Sequence, residues 1–227
     1  MTDTAPPGRP QRGRRTALSG PDALAELRLR RLNRWQAEGL RKDVADLYVQ
    51  SSRPVPGTAH SSREAFLHRL TGDVRRPGFA MLVAERPALS GCVFGFPLRP
   101  DGSWWRGFLG ALPRDVEQLT ASGHAFAISG VLVAPHERAL TVGRRLQERL
   151  LDDHRASLGV TLVPESDIRA LKAFQSWGWR EIGEVHRPPG TTLIRALVLP
   201  LGRPAATTTT TMTSTSPHLD GLRRPKR

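Results

Sequence analysis

The sequence predicts one mixed α/β (α+β) domain in residues 21–202, in which strands and helices follow one another. Strand-like apolar runs and helically spaced apolar residues take turns along this part of the chain, which is typical of an α/β fold. Residues 79–84 and 91–98 are apolar runs joined by a segment rich in turn residues, which predicts a hairpin at the sheet's centre.

Two terminal tails are predicted to be disordered, at residues 1–20 and 203–227. Both are basic and rich in Pro, Gly, Arg or Thr, and the second contains a Thr-rich run. Their few large apolar side chains cannot offset the conformational entropy that ordering would cost. The domain boundaries therefore follow from composition.

The predicted elements begin with a strand at residues 25–30, where apolar and charged residues alternate. Helical spacing predicts a helix over residues 35–49 and a second one that begins after Ser61 or Ser62 as its N-cap. After the hairpin, the predicted helices are 114–120, 142–156 and 167–177, and the predicted strands are 125–133, 160–163, 179–185 and 191–199.

The net charge of +13 is spread unevenly along the chain. Residues 1–31 and 203–227 contribute +4 each, which leaves +5 for residues 32–202. Because much of the charge is peripheral and follows no groove-reading motif, a nucleic-acid-binding module is the least favoured interpretation. A modestly positive core suits a polyanionic ligand.

Several classes of protein are disfavoured by composition. The single cysteine, Cys92, cannot form an internal disulfide, and no Cys or His residues stand at zinc-ligand spacing. No apolar run reaches the roughly 18 to 20 residues that cross a bilayer, and the first residues lack the apolar run of a signal peptide. We expect a cytoplasmic protein with no metal and no membrane partner.

The segment most informative about function is residues 131–146, where a strand, a tight loop and an amphipathic helix follow one another. A helix start offers free backbone N–H groups and the positive end of the helix dipole, and both attract anions. Small residues would let a phosphate approach the backbone closely. The basic residues here are Arg138, Arg144 and Arg145, and the small ones are Ala139, Thr141 and Gly143.

This segment resembles the acyl-CoA-binding motif of the GNAT superfamily of N-acyltransferases, Arg/Gln-x-x-Gly-x-Gly/Ala. In this chain it reads Arg138-Ala-Leu-Thr141-Val-Gly143. Thr141 replaces the first glycine, but it keeps its backbone N–H and adds a hydroxyl donor.

A second match lies downstream, where the family shows Asn-x-x-Ala-x-x-x-Tyr-x-x-x-Gly-Phe. This chain has Asp167-Ile-Arg-Ala170-Leu-Lys-Ala-Phe174-Gln-Ser-Trp-Gly178-Trp179, with the same spacing. The resemblance spans about residues 25–201.

The resemblance implies a GNAT-like fold, which is a central mixed β-sheet with helices on both faces. It also implies acetyl-CoA as acyl donor and an amine acceptor of unknown identity. The amine would attack directly, and backbone donors would hold the oxyanion of the tetrahedral intermediate. The backbones of Val131 and Val133 would pair with the cofactor's pantetheine arm as an added strand does. The implied cofactor-binding residues are Val131, Val133, Arg138, Ala139, Thr141, Val142, Gly143, Arg144, Asp167 and Phe174. A homodimer is an open option.

Two catalytic groups that are frequent in the family are missing at their expected positions. Residues 125–130 contain no Asp or Glu, and Phe174 stands where a tyrosine would donate a proton. An amine that arrives neutral could react through positioning alone. Alternatively, His124, Ser129 or Tyr48 takes over acid–base work. The third option is an acyl-CoA sensor or scaffold that binds without turnover.

Overall fold

The computed structural model describes residues 27–52, 59–136, 139–188 and 193–202, without the side chains of 59–61. The tails predicted at 1–20 and 203–227 lie outside these residues and stay predictions.

A mixed sheet forms the centre of the fold, as predicted. Within the described residues it has seven strands in the order β1-β2-β3-β4-β5-β7-β6. All neighbours are antiparallel except β4 and β5, which are parallel. The strands are β1 Arg28–Leu32, β2 Ala80–Glu85, β3 Leu89–Pro97, β4 Ala125–Val133, β5 Leu158–Pro164, β6 Arg180–Val185 and β7 Ile194–Pro200.

Helices cover both faces of the sheet. Alternate residues of β2 show this, because Leu82 packs with residues of α5 while Met81 packs with residues of α2 and α3. The helices are α1 Arg34–Gly39, α2 Arg41–Ser52, α3 Ala59–Val74, α4 Arg114–Ala121, α5 Ala139–Asp153 and α6 Ile168–Ser176. A 3-10 turn covers Ser103–Trp105.

The first elements differ from their predicted bounds. Of the first strand's predicted residues 25–30, residues 25 and 26 lie outside the described residues. The described strand ends two residues later than predicted because it pairs with β2 from Arg28 opposite Glu85 to Leu32 opposite Met81. The helix predicted over 35–49 is two helices, since α1 starts on an Asn33 capping box and ends at Gly39.

The predicted helix starts also moved. The structure begins α3 at Ala59 rather than after Ser61 or Ser62, and it begins α5 at Ala139 rather than near Val142. Apolar periodicity reveals only the part of a helix that buries one side. In α5 that pattern begins at Val142, because Leu140 in the first turn is exposed and does not belong to the buried side.

The pairing of β4 with β5 ends early. Only Ala125–Ala127 pair with Leu158–Val160 within the described residues, whereas β5 continues along β7 to Pro164. Residues 128–133 of β4 and 161–164 of β5 therefore bound a gap, which we call the β4–β5 cleft.

A bulge in β4 lies at the inner end of this cleft. Ile128 is opposite Gly95 and Gly130 is opposite Phe94, so Ser129 is the extra residue. A side chain at Gly95 is excluded, because its Cβ would lie 1.9 Å from the Ala127 carbonyl oxygen. The bulge reverses which residues of β4 direct their backbone groups toward β5.

Candidate active site

Backbone groups of Val131 and Val133 line the β4–β5 cleft. The Ala134 N–H donates to the Ser90 carbonyl of β3 at 2.8 Å, and alternation then directs Val131 and Val133 the other way, toward β5. Before the bulge, Thr161 Oγ1 reaches across from β5 to the Ile128 carbonyl at 2.9 Å. Beyond that bond, β5 makes no backbone pairing with β4 among the described residues, which leaves this edge of β4 available to an extended ligand.

The start of α5 lies against the same strand. The Ala139 N–H donates to the His136 carbonyl at 3.1 Å, while Thr141 is exposed and Val142 is buried. The remaining N–H groups of the first turn have no intrahelical partner by the geometry of a helix start. Arg138, which the motif assigns to the cofactor, lies outside the described residues.

Gly143 has a packing reason to be small that the sequence did not reveal. A Cβ built on it would lie 2.9 Å from the Trp177 ring and 3.5 Å from Val131 Cγ1. The missing side chain of Gly143 therefore lets Trp177 pack against the helix, and the expectation that its small size admits a phosphate stays a prediction. Thr141 is the exposed position of the motif.

Arg144 points along α5 and already has a partner. Its Nε lies 2.7 Å from Glu148 Oε1, and both side chains are about half exposed. This hydrogen bond raises the pKa of Arg144. A ligand at the helix start would compete with Glu148 for this guanidinium.

The two residues taken from the second motif lie on α6 in structural roles. Asp167 is the N-cap, and its Oδ1 accepts from the Ala170 N–H at 3.0 Å. Phe174 is 7% exposed and packs edge-on against Trp177 and Trp179, with ring centroids 5.3 and 5.1 Å away. Neither residue directs a proton donor into the β4–β5 cleft.

The fold matches solved acetyltransferases. Aminoglycoside 6′-acetyltransferase type Ii matches with a TM-score of 0.54 and 12% identity, over 78% of this chain and 99% of that chain. A probable acetyltransferase from Staphylococcus epidermidis matches with a TM-score of 0.50 and 12% identity, over 77% and 99%. A protein assigned to the GNAT acetyltransferases, from Desulfovibrio desulfuricans, gives a TM-score of 0.49 and 14% identity, over 77% and 98%.

The chain shares the fold of the first two of these acetyltransferases, which is the GNAT fold. No family model and no curated protein matches the sequence. The GNAT resemblance inferred from the two motifs is thus confirmed at the level of the fold, and these identities carry no information about the acceptor.

Two of the three catalytic candidates, His124 and Tyr48, have partners other than Ser129. His124 precedes β4, roughly 16 Å from Ser129 at strand rise, and its Nδ1 is 2.9 Å from Ser122 Oγ. Tyr48 stacks on Phe66 with a centroid distance of 4.4 Å. Within the described residues, no hydrogen bond joins either side chain to Ser129.

Ser129, the third candidate, contacts a carboxylate that the sequence reasoning missed. Its hydroxyl donates to Asp73 Oδ2, and Asp73 Oδ1 lies 3.5 Å from the Arg76 Nε. Asp73 comes from the end of α3, and its side chain is 18% exposed. Because 56 positions separate the two residues, no local pattern could have paired them.

Cys92 is buried in β3, and burial raises the pKa of its thiol to about 12. It is therefore a poor nucleophile near neutral pH.

Within the ranges that the structure describes, no helix is long and apolar enough to span a membrane.

Proposed function

We propose that this protein is an acyl-CoA-dependent N-acyltransferase that transfers an acetyl group from acetyl-CoA to an amine. The observation that carries the proposal is the β5-facing edge of β4, where the backbone groups of Val131 and Val133 have no partner among the described residues and lie beside the start of α5. An extended chain bearing amides and ending in a diphosphate matches both features.

The residues at the β4–β5 cleft fit acetyl-CoA. Val131 and Val133 would pair with its pantetheine amides, and the first turn of α5, with exposed Thr141, would hold its diphosphate. Arg138 joins this set through the motif alone. Bound there, acetyl-CoA supplies the thioester that the amine attacks.

The chain's own acid–base group in this proposal is Asp73, acting through Ser129. In the overall reaction a C–N bond forms, the C–S bond breaks, and a proton passes from the amine to the leaving thiolate. Asp73 would attract the ammonium form of the acceptor and take its proton through the Ser129 hydroxyl. This pair supplies, from α3, the carboxylate that β4 lacks.

A second candidate function is a non-catalytic acyl-CoA sensor or scaffold. It is favoured by Phe174, which has no hydroxyl and is buried among aromatic side chains. The Phe174 side chain therefore could not protonate the leaving thiolate.

Calorimetric titration with acetyl-CoA, paired with a colorimetric assay of free thiol over a broad amine panel, tests the proposal. Because the only cysteine is buried, the folded protein should add little thiol signal of its own. We expect binding and amine-dependent thiol release. Binding without release would favour the sensor, and absence of binding would overturn both functions.

A further inference from the structure

A second concave site lies on the face of the sheet that α2 and α3 cover. It is an open cavity of about 760 Å³ between the end of α3, the end of β3, the 3-10 turn and the segment after β6. Ligand-binding pockets commonly have volumes of about 300 to 1,000 Å³. Phe96 of β3 and Trp104 of the 3-10 turn form its aromatic walls.

Of the described residues that line this cavity, four are arginines and none is a carboxylate; we call it the arginine pocket: Arg75, Arg76, Arg99 and Arg187. The nearest carboxylates are Asp73, 3.5 Å from the Arg76 Nε, and Asp101, 3.7 Å from the Arg99 Nε. Within the described residues, Arg75 and Arg187 have no carboxylate partner. The pocket therefore keeps an excess of positive charge.

The pocket holds this charge in partly desolvated positions. Arg187 lies 5.3 Å over the Trp104 ring and donates to the Trp104 carbonyl at 2.8 Å, while Arg76 lies 4.4 Å over the Phe96 ring. Burial and the nearby charge of Arg76 lower the pKa of Arg187. An anion between these guanidiniums would relieve their mutual repulsion.

The arginine pocket adjoins the proposed catalytic pair. Gly72, next to Asp73 on α3, lines the pocket, and Arg76 both lines it and contacts Asp73. Asp73 in turn accepts from Ser129 at the bulge of β4. A molecule in the pocket could therefore place an amine beside Asp73.

We infer that the arginine pocket binds the acceptor and selects amines that also carry a carboxylate or phosphate group. This inference rests on the proposed function, because it assigns the acceptor of the same reaction. Planar guanidiniums bind both anions through paired hydrogen bonds. Polycationic amines would meet like charge at every arginine of the pocket.

Matched acceptor pairs test the inference with the full-length protein and acetyl-CoA. The pairs are phenylalanine with phenylalaninamide, lysine with cadaverine, and glucosamine 6-phosphate with glucosamine, and spermidine and kanamycin serve as cations. We expect kcat/KM to be about tenfold to hundredfold higher for an anionic member than for its matched partner. The carboxylate and phosphate arms distinguish the two kinds of anion.

Substitutions in the pocket provide the second measurement. Arg75→Gln and Arg187→Gln should lower kcat/KM for anionic acceptors about tenfold or more, chiefly through KM, and should leave the Kd of acetyl-CoA unchanged. Arg149→Gln on α5, across the sheet, is the matched control, since its side chain is 64% exposed and outside the pocket. It should change neither quantity.

The outcomes separate the two proposals. Turnover of spermidine or kanamycin in preference to every anionic amine would overturn the inference and leave the acyltransferase standing. If acetyl-CoA binds without turnover, titration of phenylalanine and glucosamine 6-phosphate into the acetyl-CoA complex tests whether the arginine pocket binds anionic amines. Binding that Arg187→Gln weakens supports the pocket assignment, and absence of binding overturns it.

Discussion

The start of α5 and the arginine pocket both offer positive charge, but they do so in different ways. At α5, Arg144 is exposed and paired with Glu148 at 2.7 Å, and backbone N–H groups of the first turn lack an intrahelical partner. In the pocket, Arg75 and Arg187 have no carboxylate partner within the described residues. An arginine that already has a partner offers little to a new anion.

This contrast fits two different ligands. Backbone donors at a helix start are fixed in place and suit a ligand that every catalytic cycle shares, such as a diphosphate. Arginine side chains on aromatic walls form a site of particular shape and charge, which suits the molecule that an enzyme must select. Net charge alone does not distinguish these uses.

Thr141→Glu should have the largest effect. The new carboxylate would lie in the first turn of α5, where it favours the helix but repels a diphosphate. We expect the Kd of acetyl-CoA, measured by calorimetry, to rise about 100-fold, with the melting temperature unchanged or higher. Gly143→Glu would be a poorer test, because any side chain there meets Trp177.

Thr141→Gln is the control, because it has the size of glutamate without the charge. Its Kd should rise by less than about tenfold. A folded Thr141→Glu protein with wild-type affinity would remove the diphosphate from the start of α5.

Asp73→Asn should have the next largest effect. Loss of the carboxylate removes the proton acceptor, so we expect kcat to fall about 100-fold while the Kd of acetyl-CoA stays the same. Steady-state kinetics with the best acceptor and calorimetry measure the two quantities.

Asp46→Asn is the matched control, because Asp46 also pairs with an arginine, Arg63, at 2.6 Å, but on α2. It should leave kcat unchanged. Equal rates for the Asp73→Asn and wild-type proteins would show that the amine arrives neutral and needs only positioning.

Much of the sheet could be predicted because its signals are local. Residues 125–133 form β4 with the predicted bounds, since a continuous apolar run ends near Pro135. The end of β1 and the break at Gly39 could not be placed, because strand pairing and a side-chain cap decided them. The apolar pattern contains neither kind of information.

The candidate site also has one part that the sequence could predict and parts that it could not. Residues 138–143 form one contiguous segment, so a motif could identify it. The arginine pocket is assembled from segments around 72–78, 96–100, 103–104 and 187, which only the folded chain brings together. The Ser129 bulge likewise depends on its pairing with β3. Such sites leave no local sequence pattern.

A smaller effect should follow from releasing Arg144. In Glu148→Gln the guanidinium loses its partner and becomes available to the diphosphate, so we expect the Kd of acetyl-CoA to fall about threefold. Arg144→Gln should raise the Kd by a similar factor. Asp153→Asn, which frees Arg149 farther along α5, is the control and should have no effect. If all three variants bind acetyl-CoA alike, Arg144 takes no part.

The smallest effect concerns a paired arginine that serves only the fold. Arg30 donates to Glu85 at 2.6 Å, and this hydrogen bond lowers the pKa of Glu85. The pair therefore stabilises the protein fully above the unfolded-state pKa of about 4.3, and this stabilisation is lost as pH falls through the lower folded-state pKa. Because the Arg30 side chain is 41% exposed, Glu85→Gln should lower the unfolding free energy by under about 1 kcal/mol at pH 7. Urea unfolding at pH 7 and near pH 3 measures the difference, with Arg30→Gln as the partner control. If Glu85→Gln lowers the unfolding free energy as much near pH 3 as at pH 7, Glu85 acts through packing rather than charge.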